Sequence, residues 1–459
     1  MLDLHRVQIC NRNGAKQNCC NTEFLTAQRK PSGAEKPEGS RPVANFELRC
    51  LNADGPLISH FTTCFSRLAS ETKDSELTKE LIAVVAGTRP EAVKMAPVYF
   101  ALRESEKFET VFLATAQHRQ MLDQTLEVFG IRPEHDLNLM QPGQTLPDLT
   151  GRVLSAVSKW CDQFKPAALL VQGDTTTVLA SALAAFYARI PVGHVEAGLR
   201  TGNMASPFPE EMNRRLTSPI TRWHFCPTEV SKANLEREGI HSGMHVTGNT
   251  VVDALLWVRG RLQSVGVTSV DVSKRVNIPE SFRKEFIDAG RRWILVTGHR
   301  RESFGDGFER ICQSIARITE SFPEVGVLYP VHLNPQVREP VQRILGSNSR
   351  VALVEPAGYE DFVWLMDRCT FLLSDSGGVQ EEAPSLGKPV LVMRDTTERP
   401  EGVDAGTCRL VGTDVATILR EATLLLNDKE EYTKRSALKN PYGDGLAAPR
   451  IREILESEL

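Results

Sequence analysis

The chain has 459 residues, 41% of them hydrophobic, which is enough for two or three domains of about 150 residues each. Its 54 Lys and Arg residues nearly balance 58 Asp and Glu residues, so the formal net charge of -4 excludes a global attraction to nucleic acids or anionic membranes. No apolar stretch reaches the ~20 residues that span a bilayer, and the N-terminus lacks the apolar core of a signal peptide. We therefore expect a soluble, cytoplasmic protein with neither a nucleic-acid nor a membrane partner.

Residues 1–80 differ in composition from the rest of the chain. The stretch from Gln28 to Pro42 (QRKPSGAEKPEGSRP) is too polar and too rich in Pro, Gly and charge to pack into a core. We interpret residues 1–80 as a disordered N-terminal extension, or as the product of an upstream start codon that is not used. The cysteines of the chain lack the spacing of zinc ligands, so we predict no metal site.

From Leu81 onward, short apolar runs alternate with amphipathic helical segments. A first series of runs ends near Thr228, and a second series begins after the stretch HVTGNTVVDALLW. We predict strands at LIAVVAG, TVFLATA, AALLVQG, PVGHVEA, WHFCPT, RWILVTG, GVLYPV, VALVEP, FLLSDS and PVLVMR. Such alternation predicts parallel sheets covered on both faces. The two series predict an α/β protein with two Rossmann-like, doubly wound domains and a ligand cleft between them.

Two carboxylates follow neighbouring strands of the first series. Asp174 comes after AALLVQG, and Glu196 ends the run PVGHVE. Charged side chains are rare at buried strand ends, because burying a charge is costly, so their presence there indicates a function. Because ligands bind at the carboxyl ends of parallel strands, we expect both side chains to point into the cleft.

One stretch of the first series suits phosphate binding. GTRPEAVKMAP (87–97) is a strand end, a glycine turn and a helix start, and it places Arg89 and Lys94 beside the helix N-terminus. The alternative is a pair of solvated cations on a surface turn. Proline in the first turn costs nothing, because the N–H that it lacks would have no partner in the helix.

A stretch of the second series also combines a strand end, glycines and a helix start that suits phosphate binding. SDSGGVQEE (374–382) opens a helix with Ser376, Gly377 and Gly378, whose bare N–H groups suit a diphosphate. Glu382 is placed to accept hydrogen bonds from a ribose hydroxyl pair, or it is a surface glutamate. The chain lacks the GxxxxGK[ST] pattern of a P-loop here, so hydrolysis of a nucleoside triphosphate is not favoured.

Two further stretches carry candidate side chains. SPFPEEMNRR (206–215) places Glu210 at the start of a helix with Arg214 one turn later, and alone it indicates a capped helix with a stabilising pair four residues apart. TGHRRESFGDG (297–307) places His299 beside two arginines at a strand end, which favours a functional histidine. His194 stands close to Glu196, but no third metal ligand is apparent.

Taken together, these stretches resemble the non-hydrolysing UDP-N-acetylglucosamine 2-epimerases. The likeness runs from Leu81 to about Leu459 and leaves only the N-terminal segment uncovered. It rests on GTRPEAVKMAPV, TAQHRQMLDQTLEVFGI, GDTTT, HVEAGLRTG, SPFPEEMNRR, TGNTVVDALLW, TGHRRESFG, YPVHLNP, SDSGGVQEEAPSLGKPVLVMRDTTERPEG and NPYGDG.

The resemblance implies a GT-B fold and a reversible reaction. In that family UDP-GlcNAc and UDP-ManNAc are interconverted by elimination of UDP to 2-acetamidoglucal and re-addition, without NAD or metal, and the product supplies ManNAc for surface polysaccharide. It also implies a homodimer. We divide the chain into residues 1–80, a first domain with the acid/base carboxylates (81–249), a UDP-binding domain (250–438) and a C-terminal helix packing back on the first domain (439–459).

The resemblance also implies roles for individual residues. The acid/base set is Asp174, Glu196 and Glu210, with His299 assisting at the departing diphosphate. The positions matching UDP-binding residues are Arg89, Lys94, Phe362, Ser376, Gly377, Gly378, Glu382 and Arg399. Gln117 and Gln120 match part of a second sugar-nucleotide site.

The chain departs from the family pattern at two places. Ala357 stands where the uracil loop often has Gln, which leaves that base contact to the backbone. QPGQ (141–144) replaces a KERQ-like stretch whose Arg serves activation by UDP-GlcNAc, so such activation is doubtful here.

Three other functions use a similar cleft. A GT-B glycosyltransferase moving GlcNAc needs one base and an acceptor groove and not three clustered carboxylates. A hydrolysing 2-epimerase would release free ManNAc and UDP. A non-catalytic sensor of sugar nucleotides would not need the acidic set. The clustered carboxylates favour the non-hydrolysing epimerase over these three alternatives. The products formed from UDP-GlcNAc discriminate among all four functions.

Overall fold

A computed structural model describes residues 79–117 and 119–459 of the chain. The interpretation of residues 1–80 falls outside this range except for its last two positions, and it stays a prediction. The division of the remainder at residues 249 and 438 also stays a prediction. No helix within the described residues is long and apolar enough to cross a membrane.

The strands form two parallel sheets. The first has seven strands in the order β3-β2-β1-β4-β5-β6-β7, and the second has six in the order β10-β9-β8-β11-β12-β13. Every pairing within them is parallel. The strands are β1 (Glu80–Ala86), β2 (Phe108–Ala114), β3 (His135–Asp136), β4 (Ala168–Gln172), β5 (Val192–Val195), β6 (Trp223–Cys226), β7 (Met244–Val246), β8 (Trp293–Thr297), β9 (Gly326–Pro330), β10 (Val351–Val354), β11 (Phe371–Ser374), β12 (Val390–Val392) and β13 (Cys408–Leu410).

Helices connect the strands and cover both sheets. They are α1 (Arg89–Arg103), α2 (Arg119–Phe129), α3 (Leu146–Phe164), α4 (Thr176–Tyr187), α5 (Glu210–Thr217), α6 (Glu229–Arg237), α7 (Thr250–Ser264), α8 (Ser269–Val276), α9 (Glu280–Phe282), α10 (Asp306–Ser321), α11 (Pro335–Leu345), α12 (Tyr359–Arg368), α13 (Gly377–Glu382), α14 (Pro400–Asp404), α15 (Val415–Asn427), α16 (Lys429–Ser436) and α17 (Ala447–Glu458). A π-helical turn follows α9 (Arg283–Asp288), and 3-10 turns occur at Ser218–Ile220, Arg301–Ser303 and Ala383–Leu386. The predicted α/β class and the two parallel sheets are confirmed.

The apolar runs form strands because both of their faces are covered. Residues 82–86 of β1 are all buried, as a strand in the middle of a parallel sheet requires. One cluster of buried side chains is continuous from Val84 of the first sheet through Leu255 of α7 to Leu295 of the second. The described residues therefore share a core that reaches both sheets.

Helix α1 begins where the glycine turn after β1 ends. The backbone N–H groups of Gly87 and Thr88 both donate to the Glu91 carboxylate, each at 2.7 Å. Thr88 is the N-cap, and Pro90 stands in the first turn, as the sequence predicts. This local motif fixes the direction in which Arg89 and Lys94 leave the sheet edge.

The last helix, α17, is held by a buried carboxylate of α7. Asp253 accepts hydrogen bonds from the N–H groups of Ala447 at 3.3 Å and Ala448 at 2.8 Å, at the start of α17. Further along, Arg452 pairs with Glu104, just beyond α1, at 3.0 Å. Burial raises the pKa of Asp253 to about 6, although the two backbone donors oppose this.

We predict that Asp253→Ala lowers the free energy of unfolding by about 1–3 kcal/mol, because two buried N–H groups lose their acceptor. Asp253→Asn keeps an amide oxygen and should lose less. A raised pKa means that the folded state binds the proton more tightly than the unfolded chain. The contribution of the Asp253 carboxyl group to the wild-type free energy of unfolding therefore falls as the pH rises from about 4 to about 6.

The measurement is urea unfolding of wild type and both variants between pH 4 and 8. Asp253→Asn should lack the part of the pH dependence due to this group. Equal losses in the two variants would contradict the role of the carboxylate as an acceptor for α17.

Candidate active site

The carboxyl edges of the two sheets face a common cleft. Asp174 lies just after β4 and Glu196 directly after β5, at the strand ends that the sequence predicts. From the second sheet, His299 follows β8 and Ser376 follows β11. An ion pair between Lys94 of α1 and Glu381 of α13, 3.5 Å apart, joins the two edges.

Glu196 is a buried carboxylate with three hydrogen-bond donors. Lys94 Nζ and Asn249 Nδ2 both donate to its Oε1, at 2.5 and 3.0 Å, and Gln172 Nε2 donates to its Oε2. Burial opposes ionisation, but the Lys94 charge and these hydrogen bonds outweigh it, so the pKa of Glu196 lies below its usual value. The cleft thus contains an ionised carboxylate.

The charges around Glu196 continue in alternating sign. Lys94 contacts both Glu196 and Glu381, and Arg399 Nε donates to Glu381 at 2.9 Å. Burial acts to lower the pKa of Lys94, but the two carboxylates outweigh burial and raise it. The Arg399 guanidinium lies over Gly377, where a Cβ atom would come within 3.1 Å of it. The glycine therefore leaves room for the cation at the start of α13.

Asp174 is held by an arginine of α5. Arg214 donates to Asp174 Oδ2 from Nε at 2.9 Å and from Nη2 at 2.6 Å. The pair four residues apart that the sequence suggested for Glu210 does not form. Arg214 points towards the sheet edge, where it binds Asp174 and also Glu211 at 3.1 Å.

The two glutamates at the start of α5 have different environments. Glu211 is fully buried and accepts the N–H groups of Thr201 at 3.1 Å and Gly202 at 3.2 Å, so it fixes the preceding loop. Glu210 is half-buried, and among the described residues it makes no hydrogen bond or ion pair. Its carboxylate is therefore the one of the three acidic candidates that remains available without breaking a contact.

His299 lies between a buried aspartate and a second histidine. Its backbone N–H donates to Asp375 Oδ2 at 2.7 Å, and its ring stacks on that of His332 with 5.4 Å between centroids. Burial lowers the pKa of His299; Asp375 opposes this, whereas His332, Arg300 and Arg89 lower it further. The pKa of His299 therefore lies below its usual value.

Glu382 of α13 has an unsatisfied buried oxygen. Its Oε2 has no hydrogen-bond partner within residues 79–117 and 119–459. Burial and the neighbouring Glu381 charge raise the pKa of Glu382 to about 8, and Lys94 opposes this. A Cβ atom at Gly378 would lie 3.6 Å from its Oε1. Such a group is suited to hydrogen bonding with a ligand hydroxyl.

The remaining predicted residues have varied environments. Arg89 is exposed at the start of α1, and Ser376 is the N-cap residue of α13. Phe362 packs partly buried against the main core. Gln117, after β2, accepts a hydrogen bond from Thr177 Oγ1 at 2.9 Å, and Gln120 is exposed on α2.

Several residues that organise the site were not singled out from the sequence. Gln172, Asn249 and Glu381 contact Glu196 or Lys94, and Asp375 contacts His299. Their positions in the sequence could have identified two of them, because Asp375 directly follows a strand and Glu381 stands beside Glu382. In the part of the chain that the structure describes, no group of three or more His, Cys, Asp or Glu residues is placed to hold a metal ion.

The arrangement combines carboxylates with cations. One edge presents Asp174, Glu196 and Glu210, and the other presents the start of α13 with Arg399 and His299. Carboxylates in such settings act as positioned bases or acids, and cations and helix starts bind phosphate oxygens. A ligand with a proton to exchange and a negatively charged leaving group fits both edges.

Known proteins share this chain's sequence and fold. The family model described as UDP-N-acetylglucosamine 2-epimerase matches residues 100–456. The UDP-N-acetylglucosamine 2-epimerase of Escherichia coli O157:H7 is 56% identical over 377 residues, which cover 82% of this chain and 98% of that protein.

Solved structures agree. The UDP-GlcNAc 2-epimerase from Neisseria meningitidis, solved bound to UDP-GlcNAc, is 47% identical with a TM-score of 0.72, covering 82% of this chain and 100% of that one. The Methanocaldococcus jannaschii UDP-GlcNAc 2-epimerase, in complex with UDP-GlcNAc and UDP, is 33% identical with a TM-score of 0.65, covering 82% and 99%.

These matches confirm the predicted GT-B architecture of two parallel-sheet α/β domains. They extend over most of this chain and nearly the whole of each relative. The chain belongs to the UDP-N-acetylglucosamine 2-epimerase family.

Proposed function

We propose that the chain interconverts UDP-N-acetylglucosamine and UDP-N-acetylmannosamine, acting as a non-hydrolysing isomerase without a cofactor. The observation that carries the proposal is the ionised Glu196, buried beside Lys94 and opposite the glycine-rich start of α13. A base of this kind, next to cations that suit a diphosphate, supports proton removal coupled to loss of UDP. The relative from Neisseria meningitidis was solved bound to UDP-GlcNAc, which supports the same ligand here.

In this reaction a carboxylate removes the proton from C2 of the sugar. The C–H electron pair forms the C1–C2 double bond, and the bond from C1 to the diphosphate oxygen breaks with its electrons leaving on UDP. UDP then adds back to C1 while an acid returns a proton to C2 on the other face. Asp174, Glu196 and Glu210 supply the groups for both faces, since each transfer needs a base on one side and an acid on the other.

The nucleotide is bound chiefly by the second edge. We assign the diphosphate to Ser376, Gly377, Gly378 and the cations Arg89, Lys94 and Arg399. Glu382, whose buried oxygen lacks a partner within the described residues, accepts hydrogen bonds from the ribose hydroxyls. Phe362 lies beside the uracil. His299 assists the departing diphosphate. The homodimer, the polysaccharide pathway and a second nucleotide site at Gln117 and Gln120 remain predictions from family resemblance, and the cytoplasmic location remains a prediction from the sequence composition.

The proposal is tested by incubating the pure chain with UDP-GlcNAc and following the products by proton and phosphorus NMR. We expect UDP-ManNAc to accumulate to an equilibrium that is also reached from UDP-ManNAc. Release of free ManNAc and UDP would assign a hydrolysing enzyme instead. A chain that turns over UDP-GlcNAc only when an acceptor sugar is added would be a transferase.

We predict that Asp174→Asn, Glu196→Gln and Glu210→Gln each lower kcat by about 100- to 10,000-fold, the usual contribution of a positioned acid or base. UDP affinity should change little in Asp174→Asn and Glu210→Gln, because other residues bind the nucleotide. Glu229→Gln is the matched control, an exposed glutamate at the start of α6 on the same sheet edge. Full activity in the three acidic-site variants would rule out their assignment as acid/base groups.

The contact between Lys94 and Glu196 predicts a shift in pH dependence. Lys94 stabilises the ionised carboxylate, so Lys94→Met should raise the pKa of Glu196. If activity needs ionised Glu196, the variant should lose activity on acidification at a higher pH than the wild type does. Profiles of kcat from pH 5 to 9 should show the acid limb displaced upwards in Lys94→Met and unmoved in Lys94→Arg, which keeps the charge. An acid limb at the same pH in Lys94→Met would contradict this coupling.

A further inference from the structure

Asp375 is a buried charged residue at the carboxyl edge of the second sheet. It directly follows β11, which pairs with β8, and its side chain is 0% exposed. Its Oδ2 accepts the backbone N–H of His299 at 2.7 Å and that of Arg300 at 2.8 Å. One oxygen of the carboxylate therefore fixes the loop that carries His299.

The other oxygen of Asp375 faces the imidazole. Its Oδ1 has no hydrogen-bond partner among the residues that the structure describes, and it lies 3.6 Å from His299 Nδ1. A buried carboxylate oxygen without a donor is costly, and a small rotation of the ring brings Nδ1 within hydrogen-bond range. The Nδ1–H group of His299 is thus a donor that can reach this oxygen.

The other charged and titratable groups around the ring act in the opposite direction. His332 stacks on the ring, and Arg300 is the next residue in the chain. Arg89 lies at the start of α1, which follows β1 of the first sheet. All three disfavour the protonated imidazole, whereas Asp375 favours it. Tyr329, on β9, donates at 3.2 Å to the carbonyl oxygen of Gly298, which is next to His299 in the chain.

We propose that Asp375 is a positioning residue that holds His299 with its proton on Nδ1, so that Nε2 is presented to the diphosphate of the substrate. This inference rests on the proposed function, because the diphosphate is the group that His299 serves there. With the proton fixed on Nδ1, any proton that His299 gains is carried on Nε2. The resulting Nε2–H group donates a hydrogen bond to the leaving oxygen of UDP as its charge develops, and Asp375 compensates the positive charge on the ring.

The direct test is the tautomer of His299 in the wild-type chain. Nitrogen NMR of the ring, with His299→Asn used to assign the signal, should show a protonated Nδ1 and an unprotonated Nε2 at pH 8. A ring protonated on Nε2 would overturn the proposal. This readout needs no turnover, so it stands or fails separately from the proposed epimerisation.

The second test is Asp375→Asn. The amide oxygen keeps the backbone contacts with His299 and Arg300, while the NH2 group faces Nδ1 and can only donate to it. We expect the proton to move to Nε2, the pKa of His299 to fall, and kcat to drop by about 10- to 100-fold, the usual effect of losing an orienting partner. The KM for UDP-GlcNAc should change less than about threefold. Asp395→Asn, an exposed aspartate after β12 on the same edge, is the matched control.

A purely structural role for Asp375 would give a different result. In a His299→Asn background, Asp375→Asn should cause little further loss of kcat, because the two residues act as one unit. Equal losses in the presence and absence of His299 would contradict the proposal. If Asp375→Asn fails to fold, the wild-type tautomer still decides the question.

Discussion

The site depends on a row of buried and partly buried charges that alternate in sign between the two sheets. Glu196, Lys94, Glu381 and Arg399 follow one another through direct contacts, and the middle contact joins the two sheet edges. Removing a charge from water costs several kcal/mol per ion, which only close pairing offsets. Deleting one member leaves its neighbours uncompensated, so the placement of the two edges and the ionisation of Glu196 are linked.

This row explains why a carboxylate is kept at a buried strand end. Glu196 has φ of 64°, in the left-handed region where a non-glycine residue is strained by about 1–3 kcal/mol. Three donors hold the side chain in place, one from a neighbouring strand, one from α1 and one that caps α7. Strain and burial at one residue are features expected of a chemically active group and not of a packing residue.

The sequence predicted the fold and the general place of the site because both follow from local patterns. Apolar runs between amphipathic segments predict covered parallel strands, and a polar residue directly after such a run lies at the ligand-binding edge. Asp174, Glu196 and His299 were predicted to follow strands in this way, and each does. The start of α1 followed from the glycine turn and Pro90.

The pairing of side chains was not predictable from local patterns. Lys94 was assigned to phosphate alone, yet it contacts carboxylates from both sheets. Arg214 reaches Asp174, 40 positions earlier in the chain, and does not pair with Glu210, four residues earlier. Asp375 directly follows a strand and Glu381 stands beside Glu382, but neither position specifies which side chain or backbone group it contacts. Their roles depend on distances that only the packed sheets determine.

The measurement that tests the account most directly is epimerisation in heavy water. If UDP leaves and the C2 proton is removed by one group and restored by another, the epimerised product must carry deuterium at C2, and traces of 2-acetamidoglucal with UDP should escape from the cleft. Proton NMR and mass spectrometry of the purified product report both. UDP-ManNAc formed in heavy water with ordinary hydrogen at C2 would contradict the account.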